Sequence, residues 1–251
     1  MSGTGVGDRR LAVIAHRGAS GDAPENTLAA FGRARELGAD GVELDVHLSA
    51  DGEPVVIHDH RLERTTDGRG LVGEQPLAVL RRLDAGRWFG EAFAGQRIPT
   101  LDEALATLAG LRVIVELKNG PIYYPRIAAR VAAVVRASGH GRVTVSSFDH
   151  PALRDVRQAA PELNTAVLFA ARPVDPVRLA WDAGAVLLHP QWAFATADLV
   201  AAAHAAGLRV EAWTVDEPDW LRRVMAAGVD GIMTNYPARL LALLRETTGQ
   251  V

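Results

Sequence analysis

Four short fragments in the first half of the chain carry side chains that could do acid–base and metal chemistry together. They are His16-Arg17-Gly18, Glu43-Leu44-Asp45, His58-Asp59 and Glu116-Leu117-Lys118. Each ends, or lies inside, an apolar run of strand type, so one sheet would bring them to a common end. Imidazole titrates near neutral pH and serves as general acid or base. Grouped carboxylates suit a hard divalent cation such as Mg²⁺ or Ca²⁺, which prefers oxygen ligands. With two cations alongside, the set is sufficient for metal-assisted attack on a phosphodiester. Lys118 is singular: of 27 lysines and arginines it is the only lysine.

Strand parity decides which of these side chains converge. In Val42-Glu43-Leu44-Asp45-Val46 the two acids share one face and the aliphatics the other. Glu116 and Lys118 share a face in the same way, leaving Val113, Val115 and Leu117 for the opposite side. Three inward carboxylates (Glu43, Asp45 and Glu116) would repel one another without a cation, and they form the candidate metal site. His16 and His58 directly follow Val13-Ile14-Ala15 and Val55-Val56-Ile57, which makes them the candidate acid–base pair. Arg17 can fork onto phosphate oxygens. Asn26 is expected to cap the helix that follows, and Glu25 and Asn26 to brace the site. Trp213 ends a later strand and is either core packing or a wall for substrate. His47 shares the parity of Glu43 and Asp45 but opens a turn through Asp51-Gly52, so it is expected to be solvated. His60 is expected at the surface, and His140, His150 and His204 have no evident partner.

The elements that must hold these residues alternate along the chain. Strand-like runs occur at residues 11–15, 41–46, 54–57, 112–117, 142–146, 164–168, 185–188, 208–214 and 231–234, with helical stretches between them. Strict alternation means a parallel sheet with helices outside. Nine runs fit an eight-stranded (β/α)8 TIM barrel if 54–57 is an extra piece continuing from the second strand. The rival, a doubly wound open sheet, lacks a Gly-x-Gly-x-x-Gly after any strand. The first helix carries Leu28, Phe31, Ala34 and Leu37 as one apolar stripe. Residues 59–99 break the rhythm and are expected to form a small inserted subdomain after the second strand, packed by Leu77, Leu80 and Leu83 of a short helix beginning near Pro76 and by Trp88, Phe89 and Phe93, which are expected in its core. Residues 1–10, Gly-rich and polar, are expected to be a disordered tail preceding a single barrel domain over 11–251.

Bulk composition narrows the partners. At 251 residues, 48% hydrophobic and 23% charged, the chain has the make-up of a globular protein. Its net charge of −3 argues against nucleic acid, whose binders are usually basic. With no cysteine, neither disulfides nor thiolate metal sites are possible. The first ten residues lack the apolar stretch of a signal peptide, and the run 11–15 is too short to span a bilayer. A cytoplasmic protein without stable membrane insertion is expected.

The ordered set of motifs resembles the glycerophosphodiester phosphodiesterase family. It runs from His16-Arg17-Gly18 and Pro24-Glu25-Asn26-Thr27 through Glu43-Leu44-Asp45-Val46, His58-Asp59, Arg64-Thr65-Thr66, Leu83-Asp84-Ala85-Gly86, Ile98-Pro99-Thr100-Leu101 and Glu116-Leu117-Lys118. It continues to Trp213-Thr214-Val215 and the run Gly228-Val229-Asp230-Gly231-Ile232-Met233-Thr234-Asn235-Tyr236-Pro237. The resemblance implies a barrel with its site at the C-terminal strand ends and one divalent cation, Mg²⁺ or Ca²⁺, on Glu43, Asp45 and Glu116. It implies His16 and His58 as acid and base in either order, Arg17 and Lys118 on the phosphate, and Trp213 against the substrate. The expected reaction is hydrolysis of a glycerophosphodiester to sn-glycerol 3-phosphate and an alcohol through a cyclic phosphate. A lysophospholipase D or sphingomyelinase-D-like activity on a lipid phosphodiester is the alternative, and Trp88, Phe89 and Phe93 are its candidate groove. The family often has Asp where this chain has Asn235 and Asn where it has Asp216, two positions expected to lie away from the acid–base core and to touch alcohol selectivity.

Overall fold

The computed structural model describes residues 10–248. The tail expected over 1–10 therefore lies outside the described residues except for Arg10. Nine strands follow the expected runs closely: β1 (Ala12–His16), β2 (Gly41–Leu48), β3 (Pro54–Val56), β4 (Arg112–Leu117), β5 (Val143–Ser147), β6 (Asn164–Phe169), β7 (Leu187–Pro190), β8 (Arg209–Ala212) and β9 (Gly231–Thr234). The parallel order β1-β9-β8-β7-β6-β5-β4-β2 closes through a β1–β2 pairing, and β3 adds antiparallel to β2. The result is the expected eight-stranded barrel with one extra strand. Its register already sets the chemistry side by side: His16 lies opposite Glu43, and Asp45 opposite Glu116.

Helices α1 (Leu28–Leu37), α2 (Leu77–Leu80), α3 (Leu101–Thr107), α4 (Ile127–Ser138), α5 (His150–Ala159), α6 (Pro176–Ala183), α7 (Ala197–Ala205), α8 (Pro218–Ala226) and α9 (Pro237–Thr248) connect the strands. Among the described residues no helix is long and apolar enough to cross a membrane. The local signals for α1 are clear. Thr27, not Asn26, is its N-cap and accepts from Ala30 N, while Gly38 ends it in the left-handed region at φ 82°. Its buried residues are Ala30, Phe31 and Ala34; Leu28, expected on the stripe, is exposed. Phe31 is fully buried, and its truncation to Ala should cost about 3–5 kcal/mol.

The outer core lies between strands and helices and includes Val42, Leu44, Val46, Val113, Val115 and Leu117, the faces that parity assigned to the helices. Inside the barrel, Ile14, Ile114 and Met233 form a small apolar layer, with Trp213 packed against it. Below that layer Arg112 donates to Glu211 at 2.8 Å, and His189 Nε2 lies 3.3 Å from the other Glu211 oxygen. Above it sit the catalytic candidates.

The segment between β3 and α3 packs on its own cluster of Val55, Ile57, Leu62, Val72, Leu80, Ala85 and Ile98, with Leu77 and Leu83 alongside. The core of the insert is thus aliphatic. Trp88, Phe89 and Phe93, expected to form it, instead stack edge to face outside it, and Trp88 is 42% exposed. The indole N–H of Trp88 donates to the Ala85 carbonyl at 3.0 Å.

Candidate active site

The barrel rim brings Glu43, Asp45, Glu116, Lys118, Arg17, His16 and His58 together. Glu43 and Asp45 project from β2 and Glu116 from β4, all buried, and one oxygen of each lies within 4.8 Å of the others. Lys118 Nζ is 2.6 Å from Glu116 Oε1 and 3.0 Å from Asp45 Oδ1. Arg17 Nε lies 3.3 Å from Asp45 Oδ2, and the Arg17 backbone N–H donates to Glu43 Oε2 at 3.0 Å. That last bond needs an unusual turn: Arg17 sits at φ 56°, and Gly18 follows at φ 81°. A Cβ on Gly18 would meet the Ala30 backbone at 2.7 Å, so only glycine fits where the loop crosses α1.

Electrostatics follow from this crowding. Burial, then Asp45 and Glu116, push Glu43 well above the usual carboxylate range. Burial and Asp45 push Glu116 up to about 7, even with Lys118 in contact. Burial works against ionisation of Asp45 too, but Lys118 and Arg17 hold it well below the usual range. Glu43 Oε1 is buried and accepts no hydrogen bond. An orphaned carboxylate oxygen among three converging acids fits a hard divalent cation. With all three acids ionised, as ligands to a cation would be, their charges against Arg17 and Lys118 leave one negative charge, and a divalent ion would turn the site positive, as a phosphodiester anion requires.

The histidines flank this cluster. His16 Nδ1 is 2.7 Å from Asn235 Oδ1, and its Nε2 is 3.4 Å from Thr214 Oγ1 and 3.9 Å from Glu43 Oε2. Burial, helped by Arg17, lowers His16 to about 4. His58 Nδ1 meets Asp59 Oδ1 at 2.6 Å, and burial lowers His58 as well. Behind His58 runs a line of charges: Arg64 contacts Asp59 at 2.6 Å and Glu25 at 2.8 Å, and Glu25 reaches Arg17 at 2.9 Å. Trp213 stands just beyond β8, its indole N–H donating to His189 O at 2.7 Å and its ring 5.5 Å from Phe148, edge to face. It packs on the inner apolar layer and also borders the rim. A cleft of about 460 Å³ opens beside Glu116 and Lys118 and is walled by Asn119, Tyr123, Phe148 and Asp149.

Known proteins with this arrangement agree along almost the whole chain. Residues 16–239 match the model of the glycerophosphoryl diester phosphodiesterase family. The chain belongs to this family. A glycerophosphodiester phosphodiesterase from Caldanaerobacter subterraneus subsp. tengcongensis is 44% identical over 93% of this chain and 98% of its own. A phosphodiesterase from Oleispira antarctica, solved with the product sn-glycerol-3-phosphate, superposes with a TM-score of 0.85 at 34% identity, covering 93% of this chain and 96% of that one. A glycerophosphodiester phosphodiesterase from Agrobacterium tumefaciens gives 0.83 at 34% identity over 92% and 99%. Fold and family together make the chain a phosphodiester hydrolase.

Within that family frame, several residues play parts that differ from the sequence expectation. His47 is not solvated: β2 runs on to Leu48, and the ring is buried between the His58 carbonyl at 3.0 Å and the Tyr124 hydroxyl at 3.2 Å. Burial lowers it to about 4. Its parity with Glu43 and Asp45 was the available signal. Asn26 does not cap but does brace, as expected, donating to Asp45 Oδ2 at 2.7 Å. Arg64, part of the motif run but given no role, orients Asp59. Asn235 is not remote from the acid–base core; it is hydrogen-bonded to His16.

Proposed function

We propose that the chain hydrolyses glycerophosphodiesters to sn-glycerol 3-phosphate and an alcohol, in a divalent-metal-dependent reaction that passes through a cyclic phosphate. The convergence of His16, His58 and Lys118 on the Glu43–Asp45–Glu116 cluster carries this reading. The cation that these acids would hold, Mg²⁺ or Ca²⁺, supplies positive charge and Lewis acidity at the phosphate when bound. Arg17 and Lys118 bind the non-bridging oxygens. One imidazole takes the proton of the 2-hydroxyl, whose oxygen attacks phosphorus, and the other protonates the departing alcohol. Water then opens the ring with the two roles reversed. An internal nucleophile exploits proximity, worth about 7–11 kcal/mol in favourable cases. Trp213 and Phe148 give the organic part of the substrate an apolar side.

The cleft beside Lys118 favours this substrate over a lysolipid. Its walls are Asn119, Tyr123, Phe148 and Asp149, and none of Trp88, Phe89 and Phe93 is among them. The test is release of glycerol 3-phosphate from glycerophosphocholine and glycerophosphoethanolamine, with Mg²⁺ or Ca²⁺ and with EDTA. Metal-dependent release that disappears in His16→Ala and His58→Ala is expected. Turnover of lysophosphatidylcholine alone would replace the reading with the lipid one, and turnover in EDTA would remove the metal from it.

A further inference from the structure

Asp216, in the loop after β8, and Asn235, at the end of β9, form a closed pair. The carboxylate of Asp216 grips Asn235 twice: Oδ1 accepts its backbone N–H at 2.8 Å and Oδ2 accepts its side-chain Nδ2 at 2.7 Å. Thr234 Oγ1 also donates to Oδ1 at 2.9 Å, and Arg239 donates to the Asp216 carbonyl. An ionised carboxylate can only accept. The amide of Asn235 therefore has one allowed orientation, because a flip would set its oxygen against Asp216 Oδ2 at 2.7 Å. With the nitrogen so committed, Asn235 Oδ1 must face the other way, towards His16 Nδ1 and Ser20 Oγ, each at 2.7 Å. Oδ1 cannot donate either. Nδ1 of His16 must then carry the hydrogen, and in the neutral ring Nε2 keeps its lone pair. Nε2 is the nitrogen on the side of Thr214 and Glu43, the side of the proposed chemistry.

We infer that Asp216 and Asn235 are a positioning pair that sets the tautomer and ring orientation of His16, with the negative charge held one hydrogen bond back from the imidazole. The inference rests on the reading of His16 as an acid–base group. The pair touches no reacting atom and acts only through His16. What matters is its complementarity: one member must be charged and the other an amide. Two amides leave Asn235 free to flip, and two carboxylates repel across 2.7 Å. Exchanging the two residues keeps one of each and brings the carboxylate to His16 Nδ1.

The experiment is a four-way comparison of wild type, Asp216→Asn, Asn235→Asp and the double exchange. Turnover of glycerophosphocholine with Mg²⁺ is measured beside NMR of the imidazole ring nitrogens. Each single variant should lose kcat about 10–100-fold, the scale for partners that orient metal-bound histidines, with KM little changed. The double variant should recover most of that loss, because the two changes are coupled and not additive. The His16 spectrum should show hydrogen on Nδ1 in wild type and in the double variant, and a mixture in Asp216→Asn. Wild-type kcat in Asp216→Asn, or a double variant no better than the worse single one, would overturn the inference. So would His16 with its hydrogen on Nε2 in wild type. The ring spectra need no turnover. If the wild type were inert towards every glycerophosphodiester, the functional reading would fall while the spectra still decided the pair.

Discussion

Lys118 lies two positions after Glu116 on the same face, and its ammonium touches that carboxylate at 2.6 Å. Burial works against its charge, but Asp45 and Glu116 hold it above the ordinary lysine range, so the ammonium is permanently charged at the rim. In the proposed reaction it stabilises the charge that develops on the phosphoryl oxygens. Lys118→Ala should lower kcat by roughly 10²–10³, the scale for losing one such donor. Steady-state kinetics at saturating metal check this, and a loss confined to KM would assign Lys118 to ground-state binding instead.

The acids predict how a divalent cation would be taken up. Glu43 is raised well above the usual range and Glu116 to about 7 by burial beside other carboxylates, so protons must leave before both acids can serve as ligands. Both shifts are upward, so affinity for Mg²⁺ or Ca²⁺ should rise with pH through about 7. Calorimetry at pH below that value, in two buffers of different ionisation enthalpy, should record proton release on binding. Affinity independent of pH from about 6 to 8 would show that neither acid has to lose a proton there.

Asn26 suggests a subtler variant. Its side chain donates to Asp45 Oδ2 at 2.7 Å and accepts from Asp45 N at 3.2 Å, and its own backbone sits at φ 58° to make both bonds. Asn26→Ala removes the brace and leaves the ligands in place. Metal affinity should fall about 10–100-fold, as for other groups that orient a ligand. A metal titration followed by calorimetry would show it, and unchanged affinity would make Asn26 a turn residue only.

The floor of the barrel gives a stability prediction. Burial works against ionisation of Glu211, but His189 and Arg112 outweigh it and bring its pKa down to about 2. The folded value lies below the unfolded one, so this group stabilises the fold above about 4.5, and the contribution is lost as pH falls towards about 2. Arg112→Met would leave the buried carboxylate facing His189 without its guanidinium, a loss of up to about 3–5 kcal/mol. Urea denaturation at neutral pH measures that cost. The difference between wild type and Glu211→Gln should shrink as the solution is acidified.

Parity and alternation make much of the molecule legible in its sequence. The period-two pattern around Glu43, Asp45 and Glu116 suffices to place all three inward, because a barrel strand must turn its aliphatic face to the helices. The features that escaped depend on closure. His16 and Asn235 are 219 positions apart and become neighbours only because β9 pairs with β1. His47 is buried because β3 folds back on β2, extending it past the expected turn. Trp88, Phe89 and Phe93 looked like a core because aromatics usually are, but the buried cluster of the segment is made by aliphatics such as Leu62, Val72, Leu80 and Ile98.

Arg64 belongs to the segment between β3 and α3, yet its guanidinium ends on Glu25 and Asp59, the residues that steady Arg17 and His58. The segment is therefore a tether as well as a covering. Any replacement for it must still deliver one forked cation to that spot. A transplanted loop lacking it would give a folded barrel whose second histidine has lost its anchor, so in this scaffold loop grafting is an operation on the catalyst.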